Sequence, residues 1–216
     1  MSTVTMILGQ SGTGKSTSLR NLDPSQTLLI QAIKKPLPFK SGNWKPANKE
    51  NPAGSIFVCD SAATIVGAMK RTKRPVIVID DFQYVMANEF MRRSAEKGFD
   101  KFTEIGRNAW DILVEAARLP DEVRVYVLSH VETTDDGRTK IKTIGRMLDE
   151  KITLEGMVSI VLKTVVQDSQ HFFATRNNGS DTVKTPMGMF DADLIENDLA
   201  AVDTAIYQYY GLTEAA

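Results

Sequence analysis

Short apolar runs punctuate the chain at residues 4–8, 27–30, 56–58, 76–79, 123–128, 157–166 and 171–175. Four of them, beginning at Val4, Thr27, Val76 and Val123, are rich in leucine and β-branched residues and have polar flanks. That is the pattern of strands buried on both faces. Between them the period changes. Residues 16–22 follow the first run, and 61–70 open on Ser61, a suitable helix N-cap. Phe102, Ile105, Ala109, Ile112, Leu113 and Ala116 recur at three- and four-residue spacing until Pro120 stops the pattern. Strands alternating with helices predict βαβ units, hence an α/β fold with a mostly parallel sheet. Only Gln167-Asp168-Ser169-Gln170 separates the last two runs, so the sheet is expected to end in an antiparallel pair. Leu194, Ile195, Leu199, Val202 and Ile206 predict a C-terminal helical segment ended by Gly211. The expected division is a core over 1–190 and an acidic helical segment over 191–216 packed on it.

One stretch breaks the rhythm. Residues 34–54 carry Pro36, Pro38, Pro46, Pro52, Gly42 and Gly54. A connection of about 20 residues is long for a compact domain, and such loops tend to be functional or disordered. It holds Lys34, Lys35, Lys40, Lys45 and Lys49 against one acid, Glu50, with Phe39 and Trp44 between them. Lysines neutralise phosphates and aromatic rings stack on bases, so this loop is either a candidate nucleic-acid contact or a solvated loop whose aromatics pack back on the body. Residues 138–151 form a second candidate, within an excursion over 131–156 that reads as mobile and turns at Asp136-Gly137.

The strongest chemical signal is Gly9-Gln10-Ser11-Gly12-Thr13-Gly14-Lys15-Ser16-Thr17, which fits the phosphate-loop pattern G-x-x-x-x-G-K-[ST]. The glycines let the backbone close round phosphate oxygens with its N–H groups pointing inward. A helix following the loop would aim its positive end at the same anion. Lys15 adds a point charge for the β- and γ-phosphates of ATP, and Ser16 offers a hydroxyl to Mg²⁺. The run Val76-Ile77-Val78-Ile79 ends in Asp80 and Asp81. Asp80, at the strand's carboxyl end, is the second candidate Mg²⁺ ligand. Asp81 either polarises the attacking water or starts the next helix. His130 ends the strand at 123–128, where ligands of open α/β sheets sit, and is a candidate γ-phosphate sensor. Arg176 and Lys184 follow the last strand and are candidate fingers for a neighbouring subunit's nucleotide.

Taken together, GQSGTGKS, VIVIDDFQYVMANEFMRR, VLSHVE, KTIGRMLDEKITLEGM and NNGSDTVKTPMGMF resemble the phage-encoded AAA-type nucleotide-binding proteins with a RecA-like core. That group includes small recombinases that anneal single-stranded DNA. The resemblance implies a RecA-like P-loop ATPase core acting in DNA recombination, assembly into homo-oligomeric rings or filaments, and a possible single-strand-binding protein as partner. It puts His130 where RecA proteins typically carry a glutamine sensor, and Arg176 and Lys184 in the region of trans-acting cations. It also exposes a departure. RecA proteins place a catalytic glutamate after the second strand, whereas this chain has Gln31-Ala32-Ile33-Lys34-Lys35 there. Slow hydrolysis and a larger role for Asp81 follow. A nucleotide-gated assembly or loader ATPase of phage replication is the alternative.

Composition narrows the rest. The chain has 216 residues, 42% hydrophobic and 25% charged, which is ordinary for a globular protein and excludes a disordered one. A single cysteine, Cys59, excludes a disulfide scaffold. No apolar run approaches the ~20 residues of a membrane span, and Met1-Ser2-Thr3-Val4-Thr5 has no signal-like pattern. The expectation is a cytoplasmic protein with no membrane partner. The net charge of −1 hides an asymmetry. Residues 185–216 hold six acids and no Lys or Arg, which leaves a surplus of five positive charges in the first 184. An acidic tail that shields the basic loops is the reading this suggests.

Overall fold

The computed structural model describes residues 1–145 and 147–212. Ten strands and four α-helices occur among them. The strands are β1 (Thr3–Leu8), β2 (Thr27–Gln31), β3 (Ile56–Val58), β4 (Val76–Asp80), β5 (Arg124–Ser129), β6 (Val131–Thr133), β7 (Thr139–Ile141), β8 (Ile160–Gln167), β9 (Gln170–Ala174) and β10 (Leu194–Glu196). The helices are α1 (Ala62–Arg71), α2 (Gln83–Arg92), α3 (Asp100–Ala117) and α4 (Leu199–Tyr209). Eight strands form one sheet in the order β10-β9-β8-β1-β5-β4-β2-β3. All pairs from β3 to β8 are parallel; β8–β9 and β9–β10 are antiparallel. The β8–β9 turn is Asp168-Ser169, with φ of 50° and 62°, the left-handed conformation of a tight hairpin loop.

The parallel strands read as unbroken apolar runs because both of their faces are covered. Val4, Met6 and Leu8 of β1, with Ile77 and Ile79 of β4, pack against Ile65 of α1, Val85 of α2 and Ile105, Ile112 and Ala116 of α3. Ile7, Val78, Tyr126 and Leu128 point the other way, into a second layer with Leu19, Trp44, Leu199, Val202 and Ile206. This is the α/β architecture that the alternation predicts. The register aligns Leu8 with Ser129 and Gln31 with Asp80. The carboxyl ends of β1, β2, β4 and β5 therefore finish at one edge. Strand β5 sits between β1 and β4, which opens a crevice where their following loops diverge.

Two local expectations change, and two stretches gain definite structure. The helix after β1 is a six-residue 3₁₀ turn, Ser16–Asn21, rather than a full α-helix. Leu194 and Ile195 lie in strand β10 on the sheet edge, and only the positions from Leu199 onward are helical. The excursion at 131–156 holds the antiparallel hairpin β6–β7, turned at Gly137, and Glu155 accepts the Ile141 N–H at 2.8 Å. Arg146, within the second basic stretch, lies outside the described residues, as do residues 213–216 of the acidic segment. Finally, Trp44 is 6% exposed and Phe39 packs edge-on against it. Burying an indole is worth more than leaving it in water, so the long loop turns its aromatic side chains inward. The loop is further held by the backbone bridge between Pro46 and Ile56. Among the described residues, no helix is long and apolar enough to cross a membrane.

Candidate functional site

The phosphate loop leaves β1 with the Gly9 N–H donating to the Ser129 carbonyl at 3.2 Å. A β-carbon on Gly9 would stand 1.8 Å from Thr164 Oγ1, so only glycine lets the loop pass this closely to β8. Thr13 Oγ1 donates to the Gln10 carbonyl at 2.7 Å and lies 2.5 Å from Thr164 Oγ1, which pins the loop's crown. Gly14 adopts φ +102°, a conformation other residues reach only under strain. Because the helical turn that follows is short, the loop amides and Lys15, more than a helix dipole, are the groups placed to meet an anion.

Lys15 is 6% exposed and its ammonium donates to the carbonyls of Gly9 and Gln10, both at 2.8 Å. Burial pulls its pKa down to about 8, against the opposing charges of Asp81 and Asp80. Ser16 Oγ donates to both oxygens of Asp80, at 3.0 and 2.9 Å. Asp80 is fully buried, and burial together with the neighbouring Asp81 charge holds its carboxyl above the usual range. Asp81 sits at φ 61°, a left-handed turn that lets the chain leave β4 with the carboxylate facing the crevice. Burial opposes its charge, but His130 and Lys35 outweigh it and keep Asp81 below the usual range. The direct contact is Lys35 Nζ, 2.5 Å from Asp81 Oδ2. His130 Nε2, at 3.6 Å from Asp81 Oδ1, is beyond hydrogen-bond length. The Tyr84 ring meets His130 edge-to-face at 6.2 Å and fixes its plane.

These side chains converge on one cleft of about 230 Å³, lined by Ser11, Gly12, Gly14, Lys15, Ser16, Thr17, Lys35, Pro36, Pro38, Asp81 and His130. Gln10 contributes its backbone carbonyl to Lys15 at the rim. Among the described residues no cluster of three or more His, Cys, Asp or Glu could hold a metal. Mg²⁺ in a phosphate site needs only one or two protein oxygens beside substrate and water. The buried hydroxyl–carboxylate contact of Ser16 and Asp80 supplies hard oxygen donors of that kind, and Asp80 otherwise carries its buried charge against Lys35 Nζ no nearer than 4.0 Å. These residues fit Mg²⁺.

Arg176 and Lys184 are not brought to this cleft. They line a separate one with Thr175, Val183, Pro186 and Phe190. Arg176 is held there by Asp193 at 2.6 Å and by the Asp191 carbonyl at 3.2 Å. Lys184 joins β8 through a backbone bridge to Val161, with its side chain exposed. Conversely, the sequence pattern gave Lys35 no part in the phosphate site, placing it in a basic loop instead. The one available signal was a lysine following β2, where the resemblance called for a carboxylate.

The strand order, the crevice and the glycine-rich loop after β1 define an α/β fold of the P-loop type. No family model matches the chain, and no curated protein matches it. Among solved structures it is similar to a chain from "The Structure Of A DnaB-Like Replicative Helicase And Its Interactions With Primase", at 15% identity with a TM-score of 0.45. The match covers 80% of this chain and 53% of that one, so the chain spans about half the length of this neighbour.

Proposed function

We infer that this chain is a Mg²⁺-dependent P-loop ATPase. The observation that carries the reading is the Ser16–Asp80 contact beside Lys15, a hydroxyl, a carboxylate and an ammonium converging at the end of a glycine-rich loop. The loop amides and Lys15 bind the β- and γ-phosphates; to do so Lys15 exchanges the Gly9 and Gln10 carbonyls for phosphate oxygens. Ser16 and Asp80 would hold Mg²⁺, which would neutralise phosphate charge when bound. Asp81 orients the attacking water, and His130 contacts the γ-phosphate from the end of β5. With no carboxylate after β2, hydrolysis is slow. A neighbouring subunit's Arg176 or Lys184 completes the site in a ring or filament. The test is ATP turnover with and without Mg²⁺ beside Lys15→Ala; Mg²⁺-independent or Lys15-independent turnover would sink the reading.

The output we propose is binding and annealing of single-stranded DNA during recombination. Support comes from Lys34, Lys40, Lys45 and Lys49, all exposed along the long loop. Hydrolysis should then rise with single-stranded DNA at low salt, where phosphate contacts are strongest. A second reading, nucleotide-gated assembly without DNA pairing, is favoured by the burial of Trp44, which removes the loop's best stacking ring. Sizing with a non-hydrolysable ATP analogue, run beside a DNA gel shift, separates them: assembly without DNA affinity selects the second.

A further inference from the structure

The segment after β2 is built to present one side chain. Gln31, 3% exposed, donates from Nε2 to the Lys35 carbonyl at 3.2 Å, and the Ala32 N–H donates to the Asp80 carbonyl at 3.1 Å. Pro36 restricts Lys35 to an extended backbone, and Pro38 stiffens the next turn. Leu37 and Phe39 anchor the far side in the core layer around Trp44. Lys35 thus lines the same cleft as Lys15 from this strap, with its Nζ 2.5 Å from Asp81 Oδ2 and 4.0 Å from Asp80 Oδ2. A lysine held this way by a stiff, hydrogen-bonded strap differs from the solvated lysines further along the same loop.

The cleft is lined by Lys15, Lys35 and Asp81, and the buried Asp80 lies 4.0 Å from Lys35 Nζ, so two lysines balance two carboxylates. Phosphate oxygens entering beside two carboxylates meet repulsion that a cation must offset. Lys35 is half-exposed, so its ammonium can swing from Asp81 toward the cleft at small cost. The geometry points to Lys35 as a γ-phosphate ligand supplied within the same chain, parked on Asp81 until a triphosphate takes it. The exchange has two consequences. It distinguishes ATP from ADP, because only the triphosphate reaches Lys35. It also releases Asp81 to hold water only once the γ-phosphate is in place. This deepens the ATPase reading above and rests on it.

The test is equilibrium binding of ADP and of a fluorescent non-hydrolysable ATP analogue, with Mg²⁺, to the full chain. Lys35→Met keeps length and removes charge. It should weaken the ATP analogue by about 10–100-fold, the range of a charge-assisted hydrogen bond, and leave ADP within about threefold. Lys35→Arg should retain most of the preference for triphosphate. Lys35→Met combined with Asp81→Asn keeps the cleft's charge balance and guards against misfolding of the single variant; it should still show a triphosphate-selective loss, smaller than the single variant's because one repelling carboxylate is gone. Equal effects of the Lys35 variants on both nucleotides, or no effect on either, overturn the assignment while wild-type binding leaves the P-loop reading intact. Wild-type protein that binds neither nucleotide overturns both.

Discussion

Ser16 gives its hydroxyl hydrogen to a carboxylate, Asp80, that has no solvent exposure. The folded chain raises the Asp80 pKa, so folding favours its protonated form. Stability from that form is present below the ordinary carboxylate range and is lost as pH rises through the raised value. At neutral pH the charge therefore works against folding. Asp80→Asn should melt higher than wild type at pH 7.5 without Mg²⁺ or nucleotide, with the gain shrinking toward acid pH. The same variant should lose at least about 100-fold in Mg²⁺-dependent turnover, consistent with a lost electrostatic contact in a phosphoryl-transfer site. Calorimetric melts over a pH series, beside turnover assays, check both halves.

Lys15 titrates in the opposite sense. Its pKa falls from 10.5 to about 8 because it is buried, with the nearby carboxylates resisting. A lowered folded pKa means stability is fully present above the unfolded value and lost as pH falls toward 8. Nucleotide-free protein should therefore gain stability from Lys15 between pH 8 and 10.5. Phosphate binding needs the charged form, so nucleotide affinity should fall above pH 8, by at most about tenfold per pH unit. In Lys15→Met that part of both pH profiles should flatten. A wild-type affinity that stays level from pH 7 to 10, in a protein whose Lys15→Met variant binds as tightly, would show that Lys15 does not bind phosphate as an ammonium.

The elements legible in the sequence are those whose burial imposes a long pattern. Val76 to Ile79 are apolar without interruption because β4 is covered on both faces, and the 3.6-residue recurrence from Phe102 to Ala116 marks α3 because one side faces the sheet. Gly9 to Ser16 are legible for a different reason: backbone closure round an anion restricts residue type directly. Leu194 and Ile195 misled because a three-residue edge strand is too short to display a period, and they adjoin the true helical positions of α4. For Trp44 the sequence left two readings open, because lysines surround it in the chain, and the fold selects burial in the layer under β2. Lys35 escaped notice because pattern says nothing about where a loop's side chains point. Its position depends on the Gln31 amide and two prolines acting in three dimensions.

Gly9 offers a test of close packing. An alanine there would put its β-carbon 1.8 Å from Thr164 Oγ1 and 2.8 Å from Thr13 Oγ1, so the loop or β8 must shift. Gly9→Ala should destabilise the protein by about 1–3 kcal/mol, the usual cost of overpacking, and reduce nucleotide affinity at least about tenfold through the displaced loop. Adding Thr164→Ala removes the nearest atom and should restore part of both losses. Gly42→Ala, with no atom within 4 Å of the new carbon, should leave stability unchanged to about 0.5 kcal/mol. Denaturant melts of wild type, Gly9→Ala, Thr164→Ala and the double variant measure the coupling, with Gly42→Ala as the control.

The acidic C-terminal segment is bound to the body rather than spread over the basic loop. Asp193 pairs with Arg176, Glu196 with Arg20 and Asp203 with Arg124, while Asp198 accepts from Asn21. This corrects the expectation of a shield over the basic loops: Asp193, Glu196 and Asp203 are paired with arginines elsewhere on the body. Asp203 is the best placed of them. It accepts from Arg124 Nε at 2.7 Å, Arg124 Nη2 at 3.0 Å and the Tyr126 hydroxyl at 2.5 Å, at the edge of the layer that holds Leu199, Val202 and Ile206. Removing one partner leaves a largely buried guanidinium and a fully buried hydroxyl without their acceptor. Asp203→Ala should cost about 3–5 kcal/mol; Asp203→Asn, which keeps one acceptor oxygen, should cost less. Deleting residues 191–216 takes away β10, α4 and three fully buried core side chains, so the truncated chain should fail to melt cooperatively. A truncation that still unfolds in a single sharp transition would show that α4 is not part of the cooperative core.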